Sequence, residues 1–150
     1  MTHTVRYAHL DDINQLAPLF DAYRVFYQQE SHLQIAYNFL QQRLALNESV
    51  ILIATNANND AIGFIQLYPS FCSISAKRIW ILSDLFVSEA ARGQRVSRAL
   101  MEKARLHALQ TSAIRLELST AHTNNRAQAL YESLGYQLDI TYRYYALDIQ

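Results

Sequence analysis

The sequence predicts an α/β (α+β) protein with a mixed, mostly antiparallel central sheet and helices on both faces. Three observations lead there. Two β-rich runs, "SVILIAT" and "AIGFIQLYP", are separated only by "NANND", whose Asn and Asp residues favour a tight antiparallel connection. Further on, strand and helix patterns alternate, which requires some parallel pairing near the middle of the sheet. The remaining apolar residues recur at helical spacing, so there are helices enough to cover both faces.

Element by element, "TVRYAH" alternates as a short strand. "LDDINQLAPLFDAYRVFYQQ" then sets Ile13, Leu16, Ala17, Phe20, Tyr23 and Tyr27 on one helical face, with Asp11 or Asp12 as the N-cap. "HLQIAYNFLQQRLAL" gives a second helix behind Ser31, ending near Asn47, with Leu33, Ala36, Tyr37, Leu40 and Leu44 on one side. The hairpin follows, and "RIWILSDLFV" adds a third, longer strand beside it. After the loop "SEAARGQ", "VSRALMEKARLHALQ" is helical, starting near Arg95 or Val96, and "AIRLELS" is a strand. "NRAQALYESLG" is a helix closed by Gly135, and two short tyrosine-rich strands end the chain. The predicted order is β-α-α-β-β-β-α-β-α-β-β.

With 150 residues, 51% of them hydrophobic, the chain suits one domain over residues 1–150 with its own core. Thirteen basic residues balance thirteen acidic ones and no basic run is present, which argues against a nucleic-acid partner. One cysteine, Cys72, excludes an internal disulfide, and five scattered histidines offer no zinc spacing, so no metal is expected. Cys72 reads as a small packing residue, since no base accompanies it. "MTHTVRYAHLDD" lacks an apolar signal region, and no stretch reaches the roughly 18 apolar residues of a membrane span. The expectation is a soluble cytoplasmic protein without a membrane partner, and a homodimer by the prevalence of symmetric oligomers.

The loop before the third helix carries the first chemical signal. A helix start leaves backbone amides unpaired at the positive end of its dipole, a ready anion site. Arg92, Arg95 and Arg98 add positive charge, and Gly93 allows a sharp turn. It is neither a Walker loop nor the three-glycine dinucleotide fingerprint. By itself the segment is equally a solvated basic face after a plain turn.

A second segment, "NNRAQALYESLGY", resembles the N-x-x-A-x-x-L-Y-x-x-x-G-[FY] pattern of the Gcn5-related N-acetyltransferases at Asn124, Ala127, Leu130, Tyr131, Gly135 and Tyr136. "DLFVSEAARGQRVSRALM" is similar to that family's acetyl-CoA signature, roughly V-x-x-x-x-R-G-x-G-x-G/A, at Val87, Arg92 and Gly93. "VRYAHLDDINQLAPLF" looks like its first strand and helix. Two positions depart from the pattern: Arg95 replaces the second loop glycine and Ser97 a Gly or Ala. Close approach of backbone to pyrophosphate favours glycine, whereas amide donation needs only suitable dihedrals.

The resemblance implies the family's fold, acetyl-CoA as donor, and acetyl transfer to a primary amine by direct attack. It implies coenzyme contacts from Arg92, Gly93, Gln94, Arg95, Val96 and Ser97, from Asn124 and Ala127, and from Leu85, Phe86 and Val87 along a strand opened by a bulge. Tyr131 stands where the family places a tyrosine beside the coenzyme sulfur, as general acid. A tyrosine of pKa about 10 facing a thiol of about 8.5 gives up its proton at a cost of about 2 kcal/mol, so it acts mainly by hydrogen bonding.

For the base, Asp84 is the first candidate and Glu117 the second. Strict alternation groups Asp84 with the apolar Trp80, Leu82 and Phe86, where burial would raise its pKa. It serves there as base or as an anchor for the ammonium. Glu117 alternates with Arg115 and Ser119, which suits a salt-bridged face. Asn124 also fits an N-cap. The acceptor side draws on Tyr23, Arg24, Phe26, Tyr27, Tyr68, Ser70 and Phe71, and Arg24 suits an acceptor carboxylate. An amino-acid-like acceptor, a polyamine-like one and a protein amine stay open, as do a coenzyme-A-binding sensor without turnover and an interaction module using "TYRYYALDI" as an edge.

Overall fold

The computed structural model describes residues 2–150, and the chain divides into two compact units, Met1–Leu118 and Ser119–Gln150. In the first unit the elements run β1 (His3–Tyr7), α1 (Ile13–Phe26), α2 (Leu33–Ala45), β2 (Val50–Asn56), β3 (Ala61–Cys72), β4 (Lys77–Val87), α3 (Val96–Gln110) and β5 (Leu116–Glu117). They form one five-stranded sheet in the order β1-β2-β3-β4-β5. The first four strands are antiparallel and β5 runs parallel to β4, so the mixed, mostly antiparallel sheet expected from the sequence is present.

Strands β2 and β3 are buried on both faces because helices lie over each side. Toward α1 and α2, Ile51, Ile53 and Phe64 meet Ile13, Leu16, Leu19, Phe20, Ala36 and Leu40. Leu16 and Leu40 are wholly buried, each contributing about 1.5–3 kcal/mol by leaving water. On the opposite face α3 packs close. A Cβ at Gly63 would lie 3.3 Å from Leu100 and 3.0 Å from the Phe86 carbonyl oxygen, so only glycine fits there comfortably.

Local chemistry explains most boundaries. In the β2–β3 connection the Asn56 side chain accepts from the amides of Asn58 and Asp60, both at 2.9 Å, which closes the tight turn. Asp12 precedes α1 but does not cap it. Its carboxylate accepts from the His9 amide at 2.8 Å and pairs with Arg6. The cap of α2 is His32, whose Nδ1 accepts from the Ile35 amide at 3.2 Å, while the Ser31 hydroxyl donates to Asp21 at 2.6 Å.

The second unit contains α4 (Asn125–Ser133). Asn124 caps it, accepting from the Ala127 amide at 3.2 Å. Its other end closes at Gly135, where the Gly135 amide donates to Glu132 and the Tyr136 amide to Tyr131. The two tyrosine-rich strands expected after it are absent among the described residues. Asp139 accepts from the amides of Thr141 and Tyr142 at 2.8 and 3.1 Å, and such local bonds compete with a strand ladder.

Candidate functional site

Strand β4 carries the feature that builds the site. Its register with β3 passes from Gln66↔Asp84 directly to Leu67↔Leu82, leaving Ser83 as the extra residue of a β-bulge. A bulge re-aims the side chains that follow it. Asp84 and Phe86, opposite Gln66 and Phe64, face α1, where the Phe86 ring lies 6.2 Å from that of Tyr23. Trp80 faces α3 instead: its ring lies 4.7 Å from His107 and its Nε1 donates to Thr111 at 2.8 Å. The grouping of Asp84 with Trp80 by strict alternation is therefore corrected, because Ser83 breaks the period of two.

Asp84 sits in a buried polar chain. Gln66, fully buried, donates from Nε2 to Asp84 Oδ2 at 2.5 Å, and Ser49 Oγ donates to Gln66 Oε1 at 2.8 Å. Ser83 Oγ donates to Asp84 Oδ1 at 2.9 Å. The Tyr23 hydroxyl, one helix away, donates to the Ser83 main-chain carbonyl at 3.3 Å and also bonds Asp84. Asp84 is only 6% exposed. Burial raises its pKa, and the bonds from Gln66, Ser83 and Tyr23 act against that rise. Tyr68, also on β3, is pushed up to about 12, first by burial and then by the Asp84 charge, so it keeps its proton at neutral pH.

Of the acceptor-side residues, Tyr23 reaches Asp84 directly, and Tyr27 stands edge-on to Tyr23 at 5.0 Å. Arg24 follows on α1, and its Nη1 is buried without a hydrogen-bond partner among the described residues. Its charge meets an anion one turn back on α1: the Ser31 hydroxyl, the His32 amide and the Arg24 charge together hold the Asp21 carboxyl below its usual range. Glu117 is drawn to Arg115 at 2.6 Å, the salt-bridged face expected from the alternation. Ser70 and Phe71 lie further out on β3, with Phe71 exposed under the Arg78 guanidinium.

Beyond Val87 the chain turns through Glu89–Ala91 into the loop before α3. Arg92 is fixed there: its Nε donates to the Val87 carbonyl at 3.1 Å and its guanidinium lies over the Phe86 ring. Gly93 has φ +78, and the place where its Cβ would stand is open. Arg95 is the N-cap of α3 with φ +63 and ψ +21, a left-handed residue. It therefore takes the turn that glycine takes more easily, which is the structural meaning of its departure from the pattern. Among the described residues no side chain caps α3 and no acidic residue occupies its first turn, which leaves the positive end of the helix dipole at Val96 and Ser97 without a capping carboxylate.

On the other side of β4, pairing with β5 covers only Trp80↔Leu116 and Ile81↔Glu117. Within this unit the β4 edge at Leu85, Phe86 and Val87 thus extends past β5. In the second unit Tyr131 lies on α4 with its ring 6.0 Å from that of Tyr136, and burial pushes the Tyr136 hydroxyl up to about 12. Asn124 and Ala127 are joined there by the cap.

Sequence reasoning missed Ser49, Gln66 and Ser83. Gln66 left a signal, a lone amide inside the apolar run "FIQLY". Ser83 left none in its own residue type, but the bulge that the family resemblance implies for this strand is present there.

Residues 14–136 match the model of the acetyltransferase (GNAT) family. The chain is 47% identical over 145 residues, 97% of each chain, to the uncharacterized N-acetyltransferase YhfO of Bacillus subtilis. It is 34% identical over 80 residues, 53% of this chain and 50% of the other, to the D-amino-acid N-acetyltransferase HPA3 of Saccharomyces cerevisiae. A crystal structure of a probable acetyltransferase superposes with a TM-score of 0.94 at 42% identity over 98% of each chain. With that family match over most of its length, the chain belongs to the acetyltransferase (GNAT) family and is an N-acetyltransferase, an enzyme of the acyltransferase class.

Proposed function

We propose that this enzyme moves an acetyl group from acetyl-CoA to the primary amine of a small molecule by direct attack. Residues 1–150 act as one catalytic domain in the cytoplasm, as a homodimer. The observation that carries the reading is the Ser83 bulge, which turns a buried carboxylate toward α1 on the strand that leads into the loop before α3.

Acetyl-CoA, when bound, supplies the activated acetyl thioester. The residues present fit its phosphates: an uncapped, acid-free helix N-terminus, an open turn at Gly93, and two arginines. Arg92, Gly93, Gln94, Arg95, Val96 and Ser97 would hold them. Leu85, Phe86 and Val87 on the β4 edge would hold the rest, and the family resemblance adds Asn124 and Ala127 as coenzyme contacts. Tyr131 serves as general acid by hydrogen bonding to developing thiolate charge.

Asp84 serves as the base. Burial raises its pKa, which makes the carboxylate a stronger acceptor for a proton from an ammonium group, directly or through water. Glu117, committed to Arg115, has the weaker claim. Tyr23, Arg24, Tyr27 and Tyr68 line the acceptor side with Asp84. The unpartnered Arg24 nitrogen favours an acceptor bearing a carboxylate, amino-acid-like rather than polyamine-like, and the D-amino-acid activity of the yeast relative agrees. The homodimer is supported by Phe26 and Phe71 at the surface of the first unit, and by the prevalence of symmetric assemblies.

The test begins with titration calorimetry of acetyl-CoA into the wild type and an Arg92→Ala, Arg95→Ala double variant. Micromolar binding lost in the variant supports the cradle. A screen then compares thiol release with phenylalanine and with phenethylamine, which lacks the carboxylate. Coenzyme binding without turnover on any amine would instead favour a sensor, and turnover only on a peptide would favour a protein acceptor.

A further inference from the structure

We propose that Gln66 is a positioning residue for the acetyl transfer: anchored at its carbonyl by Ser49, it presents its amide to Asp84 Oδ2 and fixes the place and the base strength of that carboxylate. The inference rests on the reading of Asp84 as base.

The two oxygens of Asp84 have different partners. Oδ2 faces an amide nitrogen, which has hydrogens to give and no lone pair to offer, so this oxygen is an acceptor only. Oδ1 faces the Ser83 hydroxyl, which donates to a carboxylate and accepts from a carboxylic acid by rotating its own hydrogen. A proton taken from a substrate ammonium therefore resides on Oδ1. The ammonium N–H bond breaks and leaves its electron pair on nitrogen, the Oδ1–H bond forms, and Ser83 turns to receive it. Gln66 continues to donate to Oδ2 throughout, so neither protonation state leaves a buried oxygen unpaired.

Ser49 has the complementary task. It donates to Gln66 Oε1 from the residue before β2 and keeps the amide turned with its nitrogen toward Asp84. Without that anchor the amide can reverse and set oxygen against oxygen. The remaining groups facing the pair do not replace it. Tyr23 from α1 shares its hydroxyl between the Ser83 carbonyl and Asp84 and leaves the Gln66 bond to Oδ2 in place. Tyr68 from β3 stays neutral, and the Arg43 charge from α2 that reaches Tyr68 is tied to Glu48 at 2.9 Å.

Loss of the Gln66 donor removes a bond that favours the ionised form, so Asp84 holds its proton to higher pH. The experiment follows the Asp84 carboxyl carbon by NMR in protein labelled at aspartate, assigned with Asp84→Asn. It is run alongside the pH profile of kcat/KM for the amine in the wild type, Gln66→Met and Ser49→Ala. In Gln66→Met the Asp84 midpoint and the acid limb both move up by about one pH unit, with acetyl-CoA affinity within twofold of wild type. Ser49→Ala, a milder change in a half-buried side chain, moves both the same way by less. Unmoved midpoints in both variants overturn the proposal, as does a lowered kcat with an unshifted acid limb, the mark of a merely structural role. Absence of wild-type turnover with every amine, while the Asp84 midpoint still responds, would defeat the acetyl-transfer reading separately.

Discussion

The Tyr23 hydroxyl donates to the main-chain carbonyl of Ser83 at 3.3 Å, joining α1 to the one residue that the β3–β4 register skips. A bulged residue lacks its ladder partner, and a side chain from the covering helix takes that place. Tyr23→Phe keeps the ring among Phe20, Phe64 and Phe86 and removes the hydroxyl with its bonds to the Ser83 carbonyl and to Asp84. It should cost about 0.5–1.5 kcal/mol in urea unfolding. An unchanged midpoint would mean that the bulge stands without α1.

Asp84→Asn should lower kcat by about two to four orders of magnitude if the carboxylate is the base. Stability should respond differently. The folded pKa is raised by burial, so as pH rises past about 3.9 the unfolded chain ionises first and gains on the folded one. This carboxylate therefore stabilises the fold least at neutral pH, and the loss accumulates from about pH 4 up through the raised value. Melting curves between pH 4 and pH 7 should show a smaller decline for Asp84→Asn than for wild type. An equal decline would place the titration elsewhere.

His107 is the reverse case in sign. It is 8% exposed, its Nδ1 pairs with the Tyr7 hydroxyl at 2.7 Å, and its Nε2, beside Trp80, is buried without a hydrogen-bond partner among the described residues. Burial, then the charges of Arg78 and Lys103, lowers its pKa. As pH falls below about 6.5 the unfolded chain takes the proton first, so stability is full above that value and declines beneath it. Urea unfolding at pH 7.5 and pH 5.5 should show a loss that His107→Gln reduces. Parallel losses in both proteins would show that His107 is not responsible.

Arg95 holds φ +63 at the start of α3. A side chain in the left-handed region costs about 1–2 kcal/mol, of which glycine's extra chain entropy returns about 0.5–1. Arg95→Gly should therefore raise stability by about 0.5–1 kcal/mol, and the β-branched Arg95→Val should lower it. Acetyl-CoA affinity reads the side chain separately. A several-fold weaker Kd in the more stable Arg95→Gly would show that the guanidinium contributes to binding, and an unchanged Kd would assign the site to the backbone.

Periodicity and turn chemistry were enough for β1 to β5, α1 to α4 and their order, because those elements are decided by neighbours three or four residues away or by alternation along one strand. The spaced residues around Arg92, Gly93 and Tyr131 made the family legible for the same reason, as backbone turns and helix faces are local. Glu117 was read correctly as part of a salt-bridged face, from a separation of two residues. What the sequence left open turns on contacts between segments far apart. The bulge at Ser83 exists only in the register of β4 against β3, and it places Asp84 on the α1 face and Trp80 on the α3 face. The partners of Asp84 come from positions 23, 66 and 83, and Ser49 lies behind them. A carboxylate's proton affinity is set by the donors and the water around it, and only the folded sheet brings those donors to Asp84 and takes the water away.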